Sequence, residues 1–520
     1  MLMETIVPLM VIIPLGAAFT VAILSNVKVV SRLARIIAPL AIAVNLTLSI
    51  WICVYSYYYG DATVWAGRWD GIAGRPIGIE LVCDGFARLM LVTINLVAFA
   101  AIIFSTAYME RFTTIWLYDS LFLLMTGAMN GVVLSGDLFN MYVFIEIAAI
   151  SSYGLVAFGT EREELEAAFK YLTLGVIGST FILIGVTVLY SLTGQLNMTR
   201  VARIISLRGI SQSPAVILAA ASLIGGLSLK AAMVPFHAWL PDAHPSAPAP
   251  ISAMLSGVLI KAAGVYAVVR IIFNVLGINP YYANVLIALG ALSMVIGVFL
   301  AIGQWDFKRL LAYHSISQMG YVVMSIGVAA AVVARGGSMM AASLCMLGGL
   351  FHMFNHAAFK SLLFLSSGSI EQATGTRHLK KMGGLARRMP LTSFCCRVGA
   401  LSIAGVPPFN GFFSKLIIII GLVVAGYPIL AALAVLVALM TLLSFIKVQR
   451  YALEGPVSEQ TNSVRESSWQ MGLGMVILAV VCVLAGLALI PLKQYLFDPA
   501  GNALLNKAAS MKNLLVEAVK

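Results

Sequence analysis

Charge is what this chain has least of. Only 10% of its 520 residues are Asp, Glu, Lys or Arg, and 61% are hydrophobic; a soluble domain carries about 25% charged residues. An ordinary soluble globule is therefore excluded, and the chain reads as a polytopic membrane protein whose length does not count its domains. Cysteine is scarce as well. Cys53, Cys83, Cys345, Cys395, Cys396 and Cys482 form no Cys-x-x-Cys, so the spaced thiolates of an iron–sulfur cluster are missing, and the six read as small buried hydrophobes. There is no Gly-x-Gly-x-x-Gly or Gly-Lys-Ser loop and hence no visible nucleotide site. No cofactor is expected in this chain, and redox chemistry, if any, falls to partner subunits. The start, Met1-Leu2-Met3-Glu4, lacks the basic residues of a secretory signal, so the first apolar run is expected to be retained. A net charge of +12 does not point to nucleic acid, because the basic residues are spread over short loops, where they set topology.

What the chain has is long apolar runs. A span needs about 20 apolar residues, and fourteen spans are expected: Ile6–Leu24, Ile36–Tyr58, Gly85–Ala107, Leu117–Leu134, Leu138–Phe158, Tyr171–Thr193, Pro214–Leu240, Ile251–Phe273, Tyr282–Gly303, Leu310–Ala334, Ser338–Ser369, Leu391–Val424, Pro428–Val448 and Trp469–Ile490. Two of these are broken. Leu391–Val424 would run about 50 Å as one helix, against a hydrocarbon core of about 30 Å, and Pro407-Pro408 offers the interruption. The run from Pro214 breaks in the same way at Pro235. Irregular backbone at membrane depth survives only inside protein or beside a wet cavity.

The two interruptions resemble each other: Met233-Val234-Pro235-Phe236-His237 and Gly405-Val406-Pro407-Pro408-Phe409-Asn410. They lie five spans apart, and a repeated unit with an odd number of spans inserts in opposite orientations, the plan of many transporters. The expected fold is thus all-α and polytopic, with two inverted five-helix repeats. Residues 1–116 supply about three N-terminal helices, 117–273 the first repeat, 282–450 the second, and 451–520 the last helix and tail. The loops carrying Lys28, Arg32, Arg35, Arg162, Lys170, Lys308, Arg309, Arg377, Lys380, Lys381, Arg387 and Arg388 hold most of the basic residues found in loops. The positive-inside rule puts them in the cytoplasm and both termini outside, although Lys507, Lys512 and Lys520 in the tail pull the other way.

Ionisable groups inside spans are costly, by roughly 2.5–3.5 kcal/mol each on insertion scales, and mark functional sites. Glu146 sits near the middle of the fifth span and needs a partner; Lys230, just before the first break, is the natural one. Lys261 has about ten apolar residues on either side, which places it beyond snorkelling reach of both interfaces. Lys415 follows the second break. His237 and His244 lie among the prolines between Lys230 and Lys261. His314 falls in the tenth span. His352, His356 and Lys360 recur every four residues and so line one helical face. A metal pair at His352 and His356 is not expected, because no carboxylate joins them and Lys360 repels a cation. Imidazole, by contrast, can take a proton on one ring nitrogen and release it from the other. Asp137 reads as a helix N-cap, and Glu161-Arg162-Glu163-Glu164-Leu165-Glu166 as a solvated loop or a docking surface for a neighbour.

These motifs resemble the antiporter-like subunits of respiratory complex I and its relatives. The resemblance covers nearly the whole chain. It rests on Lys230 to Lys261 with Pro-Phe-His-Ala-Trp-Leu-Pro-Asp-Ala-His between them, on Leu311 to Tyr321, on His356 to Phe364, and on Gly405 to Phe409. Gly136 to Val143 is most similar to the D-type subunits of the multisubunit Na⁺/H⁺ (Mrp) antiporters and to the matching component of membrane-bound hydrogenases. The resemblance implies that Glu146 and Lys230 are a Glu–Lys pair, Lys261 a bridging lysine, His314 part of a relay, and Lys415 the terminal charge of a second half-channel. It implies proton or sodium translocation in the cell membrane beside other membrane subunits, including homologous antiporter-like ones, in a redox-driven complex or a cation/proton antiporter. One complex I branch has glutamate at the terminal position, and Lys415 argues against that branch. Two other functions fit a polytopic chain: a non-conducting anchor of a redox complex, whose charged residues would have decayed, and a stand-alone solute transporter, which needs a roomy polar cavity at the breaks.

Overall fold

The computed structural model describes residues 2–25, 31–69, 77–458 and 461–506; Lys28 and the tail lysines Lys507, Lys512 and Lys520 lie outside them. Long apolar stretches with few interior breakers dictate helices throughout. The N-terminal part comprises α1 (Leu2–Ser25), α2 (Ser31–Tyr59) and α3 (Gly85–Tyr108), with an antiparallel hairpin of β1 (Ala62–Trp69) and β2 (Ile77–Cys83) between the last two. Next come α4 (Ile115–Leu134), α5 (Leu138–Val156), α6 (Arg162–Thr193), the short α7 (Met198–Leu207), and α8 (Pro214–Lys230) with α9 (Leu240–Ser246). The following crossing, Ala249–Leu276, alternates α10 (Ala249–Met254), a π-helix (Leu255–Tyr266), α11 (Ala267–Ile271) and a second π-helix (Ile272–Leu276).

The second half follows with α12 (Pro280–Ile302), α13 (Phe307–Ala334), α14 (Met339–Thr374), α15 (Leu385–Arg388), α16 (Pro390–Ala404), α17 (Asn410–Val424) and α18 (Pro428–Val448). After α18 come α19 (Trp469–Leu487), α20 (Leu489–Leu492) and a π-helix (Lys493–Phe497), and the described residues stay helical to 506. Eleven helices among the described residues are long and apolar enough to cross a membrane. The other three crossings of the expected fourteen would fall to the broken pairs α8–α9 and α16–α17 and to α14, which carries the His352–Lys360 stripe.

The structure departs from the sequence expectation in five places. Helix α6 starts at Arg162 rather than Tyr171, because Glu161 and Glu164 form a reciprocal capping box; the acidic stretch read as a loop is the exposed first turn of that helix. Helix α14 runs on to Thr374, where Gly375 caps it in the left-handed conformation. The hairpin and the amphipathic α7 were not foreseen. The seventh span stops being helical at Lys230, five residues before the proline.

One local structure is built twice, five crossings apart. Asp137 opens α5 by accepting from the Asn140 N–H, and Asp306 opens α13 by accepting from the Arg309 N–H, both at 2.9 Å. Gly194 and Gly375 end α6 and α14 with φ of +66° and +70°, supplying the left-handed cap that glycine favours. In each turn a threonine, Thr193 or Thr374, donates its hydroxyl across the glycine to the carbonyl two residues on, at 3.2 Å. Isolated bridges then pair Asp137 with Asn197 and Asp306 with His378.

Candidate functional site

The two helix breaks share one backbone pattern. Ala232 and Gly405 are both left-handed, with φ of +53° and +82°. The next residue, Met233 or Val406, donates its N–H five residues back, to Ser228 or Leu401, at 3.0 Å. A turn follows, Phe236 N–H to Met233 O or Phe409 N–H to Val406 O, and each turn contains a cis X-Pro bond, Val234-Pro235 or Pro407-Pro408. A helix end leaves carbonyls without intrahelical partners, and here a side chain from beyond each break supplies one. Trp239 Nε1 donates to Leu229 O at 3.0 Å, and Lys415 Nζ donates to Ile403 O at 2.7 Å.

Lys230 is the last residue of α8, where the helix dipole favours a cation. Its Nζ lies 3.3 Å from Glu146 Oε1 on α5 and 3.5 Å from the hydroxyl of Tyr153, further along the same helix. Ser179 on α6 donates a short hydrogen bond to the same Glu146 oxygen. The Lys230 side chain is 5% exposed and that of Glu146 23%, so the pair sits at the edge of the interior. Tyr171 stacks on Trp239 with centroids 4.2 Å apart and takes part in a hydrogen bond with Ser152 at 2.9 Å, which fixes the aromatic wall behind the pair. A small cavity lined by Lys230, Tyr171 and Trp239 reaches Leu259 and Ala263 on the next crossing.

That crossing carries Lys261, fully buried in its π-helical stretch. Local π-helix often accompanies function, and here Lys261 Nζ donates to Ser256 O at 2.7 Å. Ser256 Oγ meets Ser315 Oγ at 2.6 Å, which joins the Lys261 crossing to α13 beside His314. Gly257 lets α14 come close: a Cβ there would collide with Ser361 Oγ.

His352, His356 and Lys360 do share one buried face of α14. His352 bonds Ser414 Oγ through Nδ1 at 2.9 Å and Gln318 Oε1 through Nε2 at 3.2 Å, linking α14 to α17 and α13. Lys360 Nζ lies 5.6 Å over the Phe364 ring, and the His244 ring packs 4.7 Å from the same Phe364. Lys415 ends the series with its Nζ 5.3 Å over Tyr321. Asn355 and Asn410 are joined by hydrogen bonds of 3.0 Å that tie the second break to α14.

The structure thus brings Glu146 and Lys230 into contact and buries Lys261, His244, His314, His352, His356, Lys360 and Lys415 in the interior. His237 is apart from them: it is half-buried at the rim of the first break, beside Pro235 and the exposed Phe236. Both ring nitrogens of His244, His314 and His356, and Lys360 Nζ, find no hydrogen-bond partner among the described residues. Buried polar groups are otherwise almost always paired, which sets these four apart from the rest of the interior. Among the described residues there is no grouping of three or more His, Cys, Asp or Glu side chains suited to a metal.

Sequence reasoning missed several partners. Tyr153 and Ser179, which complete the Glu146 site, carry no signal beyond their polarity. Arg270, nine residues past Lys261, is a second charge in the same crossing and could have been flagged; it makes a buried two-pronged pair with Asp84. Lys308, counted above as a loop cation, is buried and lies 2.8 Å from Glu371.

Residues 135–441 match the family model described as "NADH:quinone oxidoreductase/Mrp antiporter, TM". The chain is 34% identical over 478 residues to the D-type Na⁺/H⁺ antiporter subunit of Alkalihalophilus pseudofirmus, covering 91% of this chain and 92% of the relative. It is 37% identical over 378 residues to the N-type NADH-quinone oxidoreductase subunit of Desulforudis audaxviator, covering 72% of each. Its fold matches a chain of the Mrp complex from a Dietzia species with a TM-score of 0.86 and 28% identity, over 99% of this chain and 100% of that one. The family match spans more than half of the chain and includes both breaks and every group from Glu146 to Lys415. This chain belongs to the NADH:quinone oxidoreductase/Mrp antiporter family of membrane proteins.

Proposed function

We propose that the chain is a proton- or sodium-translocating, antiporter-like subunit of a multisubunit complex in the cell membrane, working beside homologous antiporter-like subunits. The observation that carries this reading is the file of ionisable groups between the two broken helices: the half-buried Glu146 and the buried Lys230 at the first, the buried Lys261 between them, and the buried Lys415 at the second. Two half-channels meet at Lys261, the first formed by residues 117–273 and the second by 282–450. The duplicated caps and breaks support an inverted repeat, because five crossings separate the two copies. The basic loops support placing the Arg162, Arg309 and Arg377 ends in the cytoplasm and both termini outside.

In this reading Glu146 holds a protonated Lys230, and separation of the two releases the charge toward Lys261. Moving one charge against 100 mV costs about 2.3 kcal/mol, a scale that a buried ion pair can meet when it opens. The Ser256–Ser315 contact then leads to His314, and His352 with Ser414 leads to the neighbourhood of Lys415. His244, His356 and Lys360 flank this route, and His237 stands at its rim. The energy source resides in the partner subunits.

The test is ion uptake by vesicles containing the whole complex, with Lys230→Ala compared with the native chain. Uptake should be lost while the complex assembles normally, and replacing sodium by potassium identifies the ion. Native uptake in the Lys230→Ala complex would remove Lys230 from the mechanism.

A further inference from the structure

Helix α9 separates two very different spaces. On one side lies a charged cavity of about 380 Å³, to which α9 contributes Pro241, Asp242, Pro245 and Ser246. On the other, His244 is fully buried against Phe364, close to the Lys360 stripe, with neither ring nitrogen paired among the described residues. A single seven-residue helix therefore stands between the cavity and the buried relay.

So short a helix has little cohesion of its own, since helices below about 12 residues are marginal without tertiary contacts. What holds α9 comes mostly from elsewhere. Its C-terminal carbonyls are satisfied one by one: His244 O accepts from Ser252 Oγ at 2.8 Å, Pro245 O from Arg377 Nη1 at 2.6 Å, and Ala247 O from Lys308 Nζ at 3.1 Å. The two cations belong to α13 and to the segment after α14, and they are anchored there in turn. Lys308 lies 2.8 Å from Glu371, and Arg377 lies 3.2 Å from Asp306 and 3.8 Å from Glu371. On the cavity face, Asp242 receives Lys170 at 3.2 Å and Arg309 at 2.5 Å.

We propose that Lys308 and Arg377 are positioning residues: an ionic clasp, built from the second half of the chain, that holds α9 closed over His244 and so governs access between the charged cavity and the relay. Loosening the clasp frees the carbonyl end of α9, and His244 then faces the cavity. Because Glu371 serves both cations, a change at the α13–α14 end reaches the first half-channel through one carboxylate. The inference rests on the conducting role of the chain for its meaning, but access to residue 244 can be read without any transport, so the two fail separately.

The experiment places cysteine at position 244 in the assembled complex in membrane vesicles and follows its labelling by a membrane-impermeant cationic thiol reagent. The chain without the added cysteine serves as background. His244→Cys alone should label slowly. Adding Lys308→Ala or Arg377→Gln should speed labelling by about tenfold or more, the scale set by one charge-assisted hydrogen bond. Lys308→Arg should return the rate to the slow value, a rescue that mere loss of packing would not give. Should Lys308→Ala fail to accumulate in the membrane, Arg377→Gln carries the same comparison with the Lys308–Glu371 pair intact. Equal labelling rates with and without the clasp would overturn the proposal.

Discussion

Ala232 and Gly405 hold the same left-handed backbone conformation at the same step of two helix breaks, each followed by an N–H bond to the carbonyl five residues back. One position uses glycine, which adopts this conformation freely; the other uses alanine, which does so at a cost of about 1–2 kcal/mol. A non-glycine residue held there needs surroundings that over-determine it. Ala231, Ala232, Met233 and Val234 are all buried, and the Val234 N–H is fixed at 2.9 Å by Ser293 on α12.

The pair predicts opposite responses to substitution. Gly405→Ala should destabilise the protein by about 1–2 kcal/mol, with an added steric effect because the new Cβ meets Lys415 Cδ at 3.1 Å. Ala232→Gly should stay within about 0.5 kcal/mol of native, since relief of the left-handed cost offsets the extra chain entropy. Thermal unfolding of the purified complex measures both.

A structural ion pair and a working one differ in their double mutant. Glu146→Ala or Lys230→Ala alone leaves one charge poorly paired and should cost up to about 3 kcal/mol, the lower end for buried pairs because Glu146 is partly exposed. The combined variant should recover much of that loss yet remain inactive in ion uptake. Recovery of both stability and uptake would mean that the pair only holds α5 to α8.

The Ser256–Ser315 contact joins the Lys261 crossing to α13. Ser256→Ala and Ser315→Ala should each slow transport by about fivefold, the equivalent of one net hydrogen bond of about 1 kcal/mol. The double variant should be no slower than either single one, because both remove the same contact. Vesicle uptake rates at fixed driving force decide this, and additive losses would place the two serines on separate routes.

Close packing of the Lys261 crossing on α14 makes a suppressor prediction. Gly257→Ala should destabilise by about 1–3 kcal/mol through overpacking, since its Cβ would collide with Ser361 Oγ. Ser361→Ala removes that oxygen, together with its 3.0 Å bond to Ala253 O, and should recover most of the loss when combined with Gly257→Ala. Thermal melting of the single and double variants reads the effect.

Much of this architecture was legible in the chain. The apolar runs located several crossings to within a few residues, as at Leu138 after the Asp137 cap and at Pro428, where proline opens the helix. Prolines announced the breaks, and the scarcity of charge singled out Glu146, Lys230, Lys261 and Lys415. What stayed hidden depends on contacts remote in sequence. Lys308 looked like a loop cation because Glu371 and Ala247 come to it from other helices, and Arg270 finds Asp84 from 186 residues away. The acidic start of α6 read as loop because its charges mask a capping box. The hairpin was overlooked because its strands are short and sit between much longer apolar runs.

In the proposed mechanism Lys261 carries charge between two half-channels, and Lys261→Met removes that charge alone. Methionine keeps most of the length and the apolar stem of the side chain, and removing a buried charge that pairs with no carboxylate among the described residues should leave stability unchanged or raise it. In vesicles holding the complete complex, with the amount of assembled protein measured in parallel, Lys261→Met is predicted to assemble fully and to move no ions. Ion movement at the native rate by that same assembled complex would contradict the account.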